Sequence, residues 1–387
     1  MERLGNYEYI NEQKNILGTG SFSIVYLGRY IGPDIILKDK TLKIGNNVAI
    51  KVVNTGCLKD KAKQAINEEI TMMELIKSDP HPNIVRCYDV IKKENTIYII
   101  MEYCDSGDLK TILKKPIKEK YAQFYFCQLA NGLKYLYKHC LIHRDIKPKN
   151  ILLTNNKRVL KIADFGFAKR VKDFSLHETI CGSPLYMAPE IMNNSLYNNQ
   201  TDLWSIGMIL FEMLYGFHPF GNCRSMPELK DQLDKKDIDI PPNDTKNKEV
   251  SDKCLSILKK LLEKNPIKRI TWEEFFDHSW IKAYQYNQSL NNSKNEEYEK
   301  QLFSTSLGSI LNNTPPTIKN SSVIFITKSN ISNVNIIKDY MDNYINEKSK
   351  PKEKLNKSIE KVNYNDNTNE FIFDMDIDDC ITVNKKN

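Results

Sequence analysis

The chain has 387 residues, of which 41% are hydrophobic and 27% are charged, and its net charge is +7. This composition is typical of a globular protein with more than one compact unit. The positive charge is too small and too scattered to predict a nucleic-acid-binding protein, and the longest apolar run, WSIGMILFEML, is too short to span a bilayer. The cysteines form no C-x-x-C pair, which favours a reduced, cytoplasmic protein.

Residues 7–103 are predicted to form mostly strands. Short runs rich in β-branched and aromatic residues alternate here with turn residues, as in YINEQKNILG, FSIVYLGRY, NVAIKVV and NTIYIIMEY. One helix is predicted in KQAINEEITMMELIK, because apolar residues recur there at helical spacing, with Glu69 beside the apolar stripe. The sequence DPHPN ends that helix. Residues 30–47 form a long connection between the second and third strands.

Residues 104–281 are predicted to be mainly helical, because KYAQFYFCQLANGLKYLYKH and TDLWSIGMILFEMLYG are long and apolar on one side. A strand-rich small unit followed by a larger helical one predicts an α+β fold of two lobes with a cleft between them. Residues 282–387 are rich in Asn and Lys, and they are predicted to be largely disordered. Within them, one amphipathic stripe predicts a helix near 334–348.

The segment LGTGSFSIV, residues 17–25, places Gly18 and Gly20 at a tight turn between two predicted strands. Glycines at such a turn allow backbone N–H groups to approach a phosphate closely. The segment also fits a plain hairpin turn, because Ser23 stands where a third glycine completes the G-x-G-x-x-G pattern. A strand follows the loop where a dinucleotide-binding fold requires a helix, so that fold is disfavoured.

Lys51 ends the apolar run VAIK, and a lysine in a half-buried strand needs a partner. Two interpretations remain open from the sequence. In the first, the lysine lies on an edge strand and extends its amino group to water. In the second, it pairs with Glu69 on the predicted helix and with the phosphates of a ligand.

The most specific signal is HRDIKPKN, within the stretch LIHRDIKPKNILL at 141–153. A solvated polar loop does not explain this order of residues between two apolar runs. Asp145 can accept the proton of a hydroxyl group, and Lys147 can steady a phosphate during its transfer. Asn150 offers an oxygen ligand to a metal. Asp164, which follows a predicted strand in IADFG, can hold Mg²⁺ together with it.

Taken together, these motifs resemble those of eukaryotic-type protein kinases over residues 7–281. The resemblance also includes APE, DLWSIG and the late arginine of NPIKRI. It implies the bilobal protein-kinase fold, ATP and Mg²⁺ as cofactors, Asp145 as the catalytic base and Mg²⁺ bound by Asn150 and Asp164. Within the superfamily, LKIADFGFAKR and HETICGSPLYMAPEIM are most similar to the autophagy-initiating kinases of the ULK type.

The resemblance also implies which residues bind the nucleotide and brace the fold. Lys51 would bind the α- and β-phosphates of ATP and pair with Glu69, or with Glu68 if the register differs by one residue. Glu190 would pair with Arg269 inside the large lobe. The nucleotide would be enclosed by the glycine-rich loop, the neighbouring strands and the hinge, namely Leu17, Gly18, Thr19, Gly20, Ser21, Phe22, Ser23, Ile24, Val25, Ala49, Met101, Glu102, Cys104 and Leu152.

Lys147 and the segment GSPLYMAPE match the serine/threonine class, which implies protein substrates with Ser or Thr acceptors. In that class Ser183 would hydrogen-bond to Asp145 and Lys147. The bulky Phe167 after DFG predicts faster phosphorylation of serine than of threonine. Thr179 would be the activating phosphorylation site, whose charge attracts neighbouring basic groups.

Two other classes of protein remain as rivals: a scaffold that keeps the fold without catalysis, and a kinase of lipids or small molecules. The C-terminal region is too short for the linker and tandem helical domain of the ULK type. For its amphipathic stripe and its acidic-aromatic segment EFIFDMDIDD, a disordered, solvated tail is the favoured interpretation, and docking on the kinase or on a partner is the alternative.

Overall fold

The computed structural model describes residues 1–284, except 21, 38–40, 57, 171–182, 194–199, 236 and 242–249, together with 363–365 and 370–372. Strands dominate up to residue 102, and helices dominate beyond it. The predicted α+β class with a strand-rich small lobe and a helix-rich large lobe is therefore confirmed. In the part of the chain that the structure describes, no helix combines the length and the hydropathy needed to cross a bilayer.

The small lobe is built on one seven-stranded antiparallel sheet, whose strands run in the order β1-β2-β4-β7-β9-β8, with β3 paired to β4. The strands of this lobe are β1 (Glu2–Leu4), β2 (Tyr7–Tyr9), β3 (Ile16–Gly20), β4 (Ser23–Tyr30), β5 (Ile35–Ile36), β6 (Thr41–Leu42), β7 (Asn47–Asn54), β8 (Cys87–Lys93) and β9 (Thr96–Glu102). Lys51 lies on β7, which has neighbours on both sides. The interpretation of Lys51 as an edge-strand lysine is therefore wrong, because a strand paired on both sides has no open edge.

Two features of the small lobe were not expected from the sequence. The sheet begins at Glu2, before the predicted start at residue 7, because β1 pairs with β2. The long connection 30–47 contains β5 and β6, which pair only with each other as a short hairpin. Leu42 of this hairpin is buried in a small hydrophobic cluster with Tyr7 and Tyr30, so the connection packs against the sheet.

The predicted helix of the small lobe is confirmed as α1 (Asp60–Ser78). Its apolar stripe is buried, and it packs against β8. Burial of each such side chain contributes about 1.5–3 kcal/mol, which fixes the rotation of the helix about its axis. That rotation turns Glu69, which is 4% exposed, towards the sheet, and it leaves Glu68 half-buried with a hydrogen bond from Gln64.

The large lobe surrounds one nearly fully buried helix. Its helices are α2 (Glu119–Lys138), α3 (Pro189–Met192), α4 (Thr201–Tyr215), α5 (Met226–Lys235), α6 (Asp252–Leu261) and α7 (Trp272–Asp277). Helix α4 contacts α2 and α6 and is the buried one. It ends at Gly216, whose φ of 75° and closeness to Pro116 exclude a side chain there. Helix α7 begins with a capping box formed by Thr271 and Glu274.

Two short strand pairs bring the predicted catalytic segments together. Strand β10 (Leu141–Ile142) pairs with β13 (Lys169–Arg170), and β11 (Ile151–Thr154) pairs with β12 (Val159–Ile162). The segment 143–150 joins β10 to β11, and the segment 163–168 joins β12 to β13. Because both pairings are antiparallel, these two connections lie side by side, which places HRDIKPKN next to DFG.

The predicted disorder of 282–387 and the predicted helix near 334–348 lie outside the described residues. The structure describes only two short strands beyond residue 284, namely β14 (Asn363–Asn365) and β15 (Glu370–Ile372). They pair antiparallel, with Tyr364 opposite Phe371. This hairpin was not expected from the sequence.

Candidate active site

The loop that carries HRDIKPKN is anchored to the start of α4 by one buried carboxylate. Asp202 accepts hydrogen bonds from the backbone N–H groups of His143 at 2.8 Å and Arg144 at 3.0 Å. Arg144 has a φ of 67°, a left-handed conformation that a side chain disfavours, and these bonds stabilise it. The buried His143 ring contacts the carbonyl oxygen of Ala163 through Nε2 at 2.9 Å. His143 thus ties the loop to the segment that precedes DFG.

Asp145 lies at the centre of a hydrogen-bonded group and is only 4% exposed. Its Oδ1 accepts bonds from the backbone N–H of Ser183 at 2.8 Å and from the Ser183 hydroxyl at 2.9 Å. Its Oδ2 accepts a bond from Asn150 Nδ2 at 2.9 Å and lies 3.1 Å from Lys147 Nζ. Lys147 Nζ also donates to the Ser183 hydroxyl at 2.6 Å. The carboxylate is therefore oriented by several donors, and one of them is an alcohol.

Lys51 holds the opposite side of the cleft through a shared ion pair. Its Nζ lies 2.6 Å from Glu69 Oε1 and 3.5 Å from Asp164 Oδ1. Loss of hydration disfavours the charged lysine, but the two carboxylates outweigh this effect and raise its pKa above the ordinary value. Glu69, and not Glu68, is thus the partner on α1. At least one N–H group of this ammonium has no acceptor among the residues that the structure describes, so the lysine can still donate to a ligand.

Asp164 and Asn150 provide two oxygen-bearing side chains beside Lys51 and Asp145. The Asp164 side chain is 46% exposed. Loss of hydration raises its pKa, but the positive charges of Lys51 and Lys147 outweigh this effect and hold the pKa below its ordinary value. Asn150 donates through its amide nitrogen to the backbone and side chain of Asp145, which leaves its amide oxygen as an acceptor. These oxygen donors fit Mg²⁺, which prefers one or two protein ligands together with phosphate and water.

The residues after DFG's aspartate complete the inner wall of the cleft. Asp164 has a φ of 61°, and this unusual conformation directs the following residue into the core. Phe165 is fully buried against the His143 ring, with ring centroids 5.2 Å apart. Phe165 therefore packs inward, towards the core.

The glycine-rich segment forms a hairpin between β3 and β4, in which Gly20 pairs with Ser23. A Cβ at Gly20 would lie 2.9 Å from the Ser23 hydroxyl oxygen, so a larger residue there requires the Ser23 side chain to rotate. Gly18 has open space around it. Thr19, Phe22 and Ile24 lie on the same hairpin, whereas Ser21 lies outside the described residues.

The predicted adenine-binding residues lie on neighbouring strands at the rear of the cleft. Val25 on β4 is paired with Lys51, and Ala49 on β7 is paired with Met101 on β9. Leu152 is on β11, on the large-lobe side. Leu17 is on β3 and Cys104 follows β9; both are partly buried.

The hinge residue Glu102 is fixed by contacts that the sequence did not predict. Its carboxylate lies 2.8 Å from Nζ of the buried Lys161, which also donates to the Pro82 carbonyl oxygen. Its backbone N–H donates to the Arg86 carbonyl oxygen at 2.9 Å. The backbone group of Glu102 that would bind a nucleotide is therefore its carbonyl oxygen, as a hydrogen-bond acceptor.

A second ion pair that sequence reasoning missed joins Lys110 to Glu212. Lys110 Nζ donates to Glu212 Oε1 at 3.0 Å, and the Tyr186 hydroxyl donates to Oε2 at 2.7 Å. One signal was available, because Glu212 interrupts the apolar run WSIGMILFEML and a buried carboxylate needs partners. The sequence could not identify those partners.

Below the cleft, Arg269 and Glu190 form the ion pair that the resemblance implied. The two guanidinium NH₂ groups donate to the two carboxylate oxygens at 2.7 and 2.8 Å. The Arg269 side chain is fully buried and the Glu190 side chain is 5% exposed. This bidentate pair ties α3, which follows the turn Pro184–Tyr186, to the connection between α6 and α7.

Comparisons with known proteins agree with this geometry. Residues 11–281 match the family of protein kinase domains. The chain is 40% identical over 288 residues to the serine/threonine-protein kinase atg1 of Dictyostelium discoideum, which covers 73% of this chain and 40% of that protein. It is 36% identical over 269 residues to the serine/threonine-protein kinase ULK3 of Homo sapiens, which covers 68% and 53%. A putative serine/threonine-protein kinase of Acanthamoeba polyphaga mimivirus is 37% identical over 317 residues, which covers 74% and 66%.

The chain spans about two fifths of the length of the first relatives that it matches, 40% and 38% for two of them. The similarity to ULK-type kinases that was predicted from the activation-segment motifs is confirmed by the names of these relatives. The match to the family covers most of the chain, from residue 11 to residue 281, and includes both lobes of the cleft. The chain therefore belongs to the protein kinase family.

Proposed function

We propose that the protein is a serine/threonine protein kinase, which transfers the γ-phosphoryl group of ATP to Ser or Thr hydroxyls of protein substrates. One observation carries the proposal: the Asp145 carboxylate, held by Asn150 and Lys147, accepts a hydrogen bond from an alcohol, the Ser183 hydroxyl, at 2.9 Å. An acceptor serine needs the same kind of contact in order to attack a phosphate. The names of the relatives support the serine/threonine class.

In this mechanism Asp145 orients the attacking hydroxyl and takes its proton as the new P–O bond forms. The Lys147 ammonium lies between Asp145 and Ser183, where it can offset negative charge on the phosphoryl group as it moves. Asp202 keeps the loop in place through its two backbone bonds. The protein's own contribution is therefore positioning and charge compensation, since phosphoryl transfer needs little covalent help from the enzyme.

ATP and Mg²⁺ are the proposed cofactors. Asn150 and Asp164 would hold the metal, and Lys51, fixed by Glu69, would bind the α- and β-phosphates. Mg²⁺ supplies neutralisation of phosphate charge when it is bound. The hairpin 17–25, with Ala49, Met101, Glu102, Cys104 and Leu152, would enclose the nucleotide. Lys51 supports this assignment because its ammonium, paired with Glu69, lies 3.5 Å from Asp164 Oδ1.

The experiment that tests the function supplies γ-labelled ATP and Mg²⁺ with three acceptors: a serine peptide library, a matched threonine library and lipid vesicles. We expect label on serine first, on threonine more slowly because of Phe167, and none on lipid. Label on lipid alone would establish the rival class of lipid kinase. Nucleotide binding without any transfer, in wild type and in Asp145→Asn alike, would establish the scaffold instead.

Three finer predictions belong to the same proposal. Thr179 would be phosphorylated on activation, and it lies outside the described residues. Thr179→Ala is expected to lower activity and Thr179→Glu to restore part of it.

The C-terminal region would provide a docking segment for the kinase or for a partner, tested by binding of the isolated peptide EFIFDMDIDD. A cytoplasmic location is proposed from the cysteine pattern and is tested by microscopy of a tagged chain.

A further inference from the structure

The proposed mechanism leaves one buried carboxylate near the catalytic loop without a role. Glu212 on α4 is 3% exposed, and the proposed phosphoryl transfer does not use it. Its two oxygens are occupied by Lys110 Nζ at 3.0 Å and by the Tyr186 hydroxyl at 2.7 Å. A buried carboxylate needs a partner that compensates its charge, and Lys110 is that partner for Glu212.

Lys110 reaches Glu212 from the surface beside the catalytic loop. It lies in the helical turn Leu109–Thr111, which begins at Asp108 and packs against the turn Pro148–Asn150 of the loop that carries Asp145. The Lys110 side chain is 27% exposed, whereas that of Glu212 is 4% exposed. Lys110 therefore covers the carboxylate on the side that faces solvent.

Tyr186 connects the same pair to the other flank of Asp145. It lies in the turn Pro184–Tyr186, directly after Ser183, whose hydroxyl contacts Asp145. Its carbonyl oxygen accepts a bond from Ser205 Oγ at 2.7 Å, so both ends of the residue are fixed to α4. The two segments that flank Asp145 thus meet at Glu212. Asp145, Ser183 and Tyr186 line one cavity, which a peptide whose hydroxyl reaches Asp145 would enter.

Lysines lie on the two packed turns of this surface, Leu109–Thr111 and Pro148–Asn150. Lys149 is exposed on the turn next to Leu109–Thr111, and Lys147 lies two residues before it. The carboxylate of Asp108 is used to cap its own turn, since it accepts a bond from the Thr111 N–H at 3.0 Å. Burial and the nearby Lys110 charge lower the pKa of His218 to about 3, so that this ring, which packs on Tyr186, is neutral. Glu212 is a carboxylate that a basic substrate residue could use here, and Lys110 already occupies it.

We propose that Lys110 determines substrate selectivity by occupying Glu212, so that the enzyme selects against arginine and lysine beside the acceptor serine and accepts neutral or acidic residues there. This inference rests on the proposed kinase function. It follows from a competition: a substrate cation gains little from a carboxylate that is already paired, and it is repelled by the lysines around it. Removal of the Lys110 charge is expected to leave Glu212 available to a substrate cation.

The test places a single arginine or a single glutamate at each position around the serine of an otherwise neutral peptide, and it measures kcat/KM. For wild type we expect glutamate to exceed arginine at one or more positions near the serine. For Lys110→Gln, which keeps a hydrogen-bond donor but loses the charge, the ratio at those positions is expected to shift about tenfold towards arginine. Lys110→Arg, which keeps the pair, is expected to retain the wild-type ratio.

Two control variants identify Glu212 as the cause. The double variant Lys110→Gln/Glu212→Gln has no carboxylate to offer and is expected to lose the gained preference for arginine. Lys149→Gln removes the same charge from the neighbouring turn without uncovering a carboxylate, and it is expected to shift the ratio much less than Lys110→Gln. Thermal unfolding and the rate on the neutral peptide are measured for every variant, so that a folding defect lowers all peptides equally and leaves the ratio interpretable.

An unchanged ratio in Lys110→Gln overturns the inference, and so does an arginine preference that persists in the double variant. Both outcomes leave the kinase function intact, because the neutral peptide is still phosphorylated. Wild-type protein that phosphorylates none of the peptides overturns the proposed function and this inference together.

Discussion

Arg269 at the base of the large lobe and Lys51 in the cleft are both buried cations paired with glutamate, but they differ in how completely their donors are used. The five N–H donors of Arg269 reach both oxygens of Glu190 and the carbonyl oxygens of Gln200, Glu263 and Lys264. Lys51 has Glu69 at 2.6 Å and a longer contact to Asp164 at 3.5 Å.

The difference separates an ion pair whose donors the protein saturates from one that can still donate to a ligand. A cation whose donors are all satisfied by the protein gains nothing from a ligand, and its removal leaves several buried acceptors without partners. A cation with an unused donor at the mouth of a cleft can bind phosphate with little reorganisation. The two cations thus differ in how many of their N–H donors the protein uses, more than in burial or charge.

The largest effect on stability is expected for Arg269→Met. The change removes the buried guanidinium that pairs with Glu190 and donates to three backbone carbonyl groups, so the free energy of unfolding should fall by about 3–5 kcal/mol. Denaturant unfolding measures this loss. The matched control is Lys268→Met, which removes an exposed neighbouring cation and should change the free energy by about 0.5 kcal/mol or less. Equal effects of the two changes would contradict the structural role of Arg269.

Lys51→Met is expected to act mainly on catalysis. Loss of a donor to the phosphates should lower kcat/KM for ATP about 10²–10³-fold. The loss of stability should be smaller than for Arg269→Met, because fewer partners are left unpaired. Steady-state kinetics and unfolding on the same samples make the comparison, with Lys93→Met on the exposed end of β8 as the control. If Lys51→Met loses much stability but keeps full activity per folded molecule, Lys51 has a structural role like that of Arg269.

Ser183→Ala tests whether the hydrogen bonds around Asp145 orient its carboxylate. The change removes a donor to Asp145 and an acceptor for Lys147, so the rate of phosphoryl transfer should fall about tenfold. Ser183→Thr keeps the hydroxyl and is expected to retain most of the rate. An alanine variant as fast as wild type would show that the backbone N–H of Ser183 is sufficient.

The effect expected to be smallest at neutral pH concerns His218, a buried titratable group with no counter-ion among the residues that the structure describes. Its pKa is about 3 in the folded protein and 6.5 as its ordinary value, so the unfolded chain binds the proton first on acidification. The free energy of unfolding should therefore fall as the pH falls from about 6.5, by at most about 1.4 kcal/mol per pH unit for this residue. His218→Phe should reduce that slope, while His81, whose pKa is about 4, maintains part of it. If wild type and His218→Phe show the same dependence of the unfolding free energy on pH, the lowered pKa of His218 is contradicted.

The sequence predicted the site better than it predicted the contacts around it. Asp145, Asn150 and Asp164 each lie in a motif with fixed spacing, and short antiparallel pairings bring those motifs together. The partner of Lys51 followed from the apolar stripe of α1, because that stripe fixes which glutamate faces the sheet. In these cases the pattern of neighbouring residues in the sequence was sufficient for the prediction.

Contacts between distant segments without a motif could not be predicted. Lys110 and Glu212 are 102 residues apart, and Lys110 lies in a short turn with no pattern of its own. The edge-strand interpretation of Lys51 failed because strand order depends on pairings that periodicity does not reveal. Strands of three residues, such as β1, are too short for their alternation to be recognised.

The rate of a single turnover by Asp145→Asn tests the central claim most directly, with saturating Mg²⁺ and ATP and a serine peptide in excess. The account predicts a rate about 10²–10⁴-fold below wild type, with nucleotide binding retained and with a smaller loss of stability than in Arg269→Met. A variant that forms phosphoserine at the wild-type rate would contradict it.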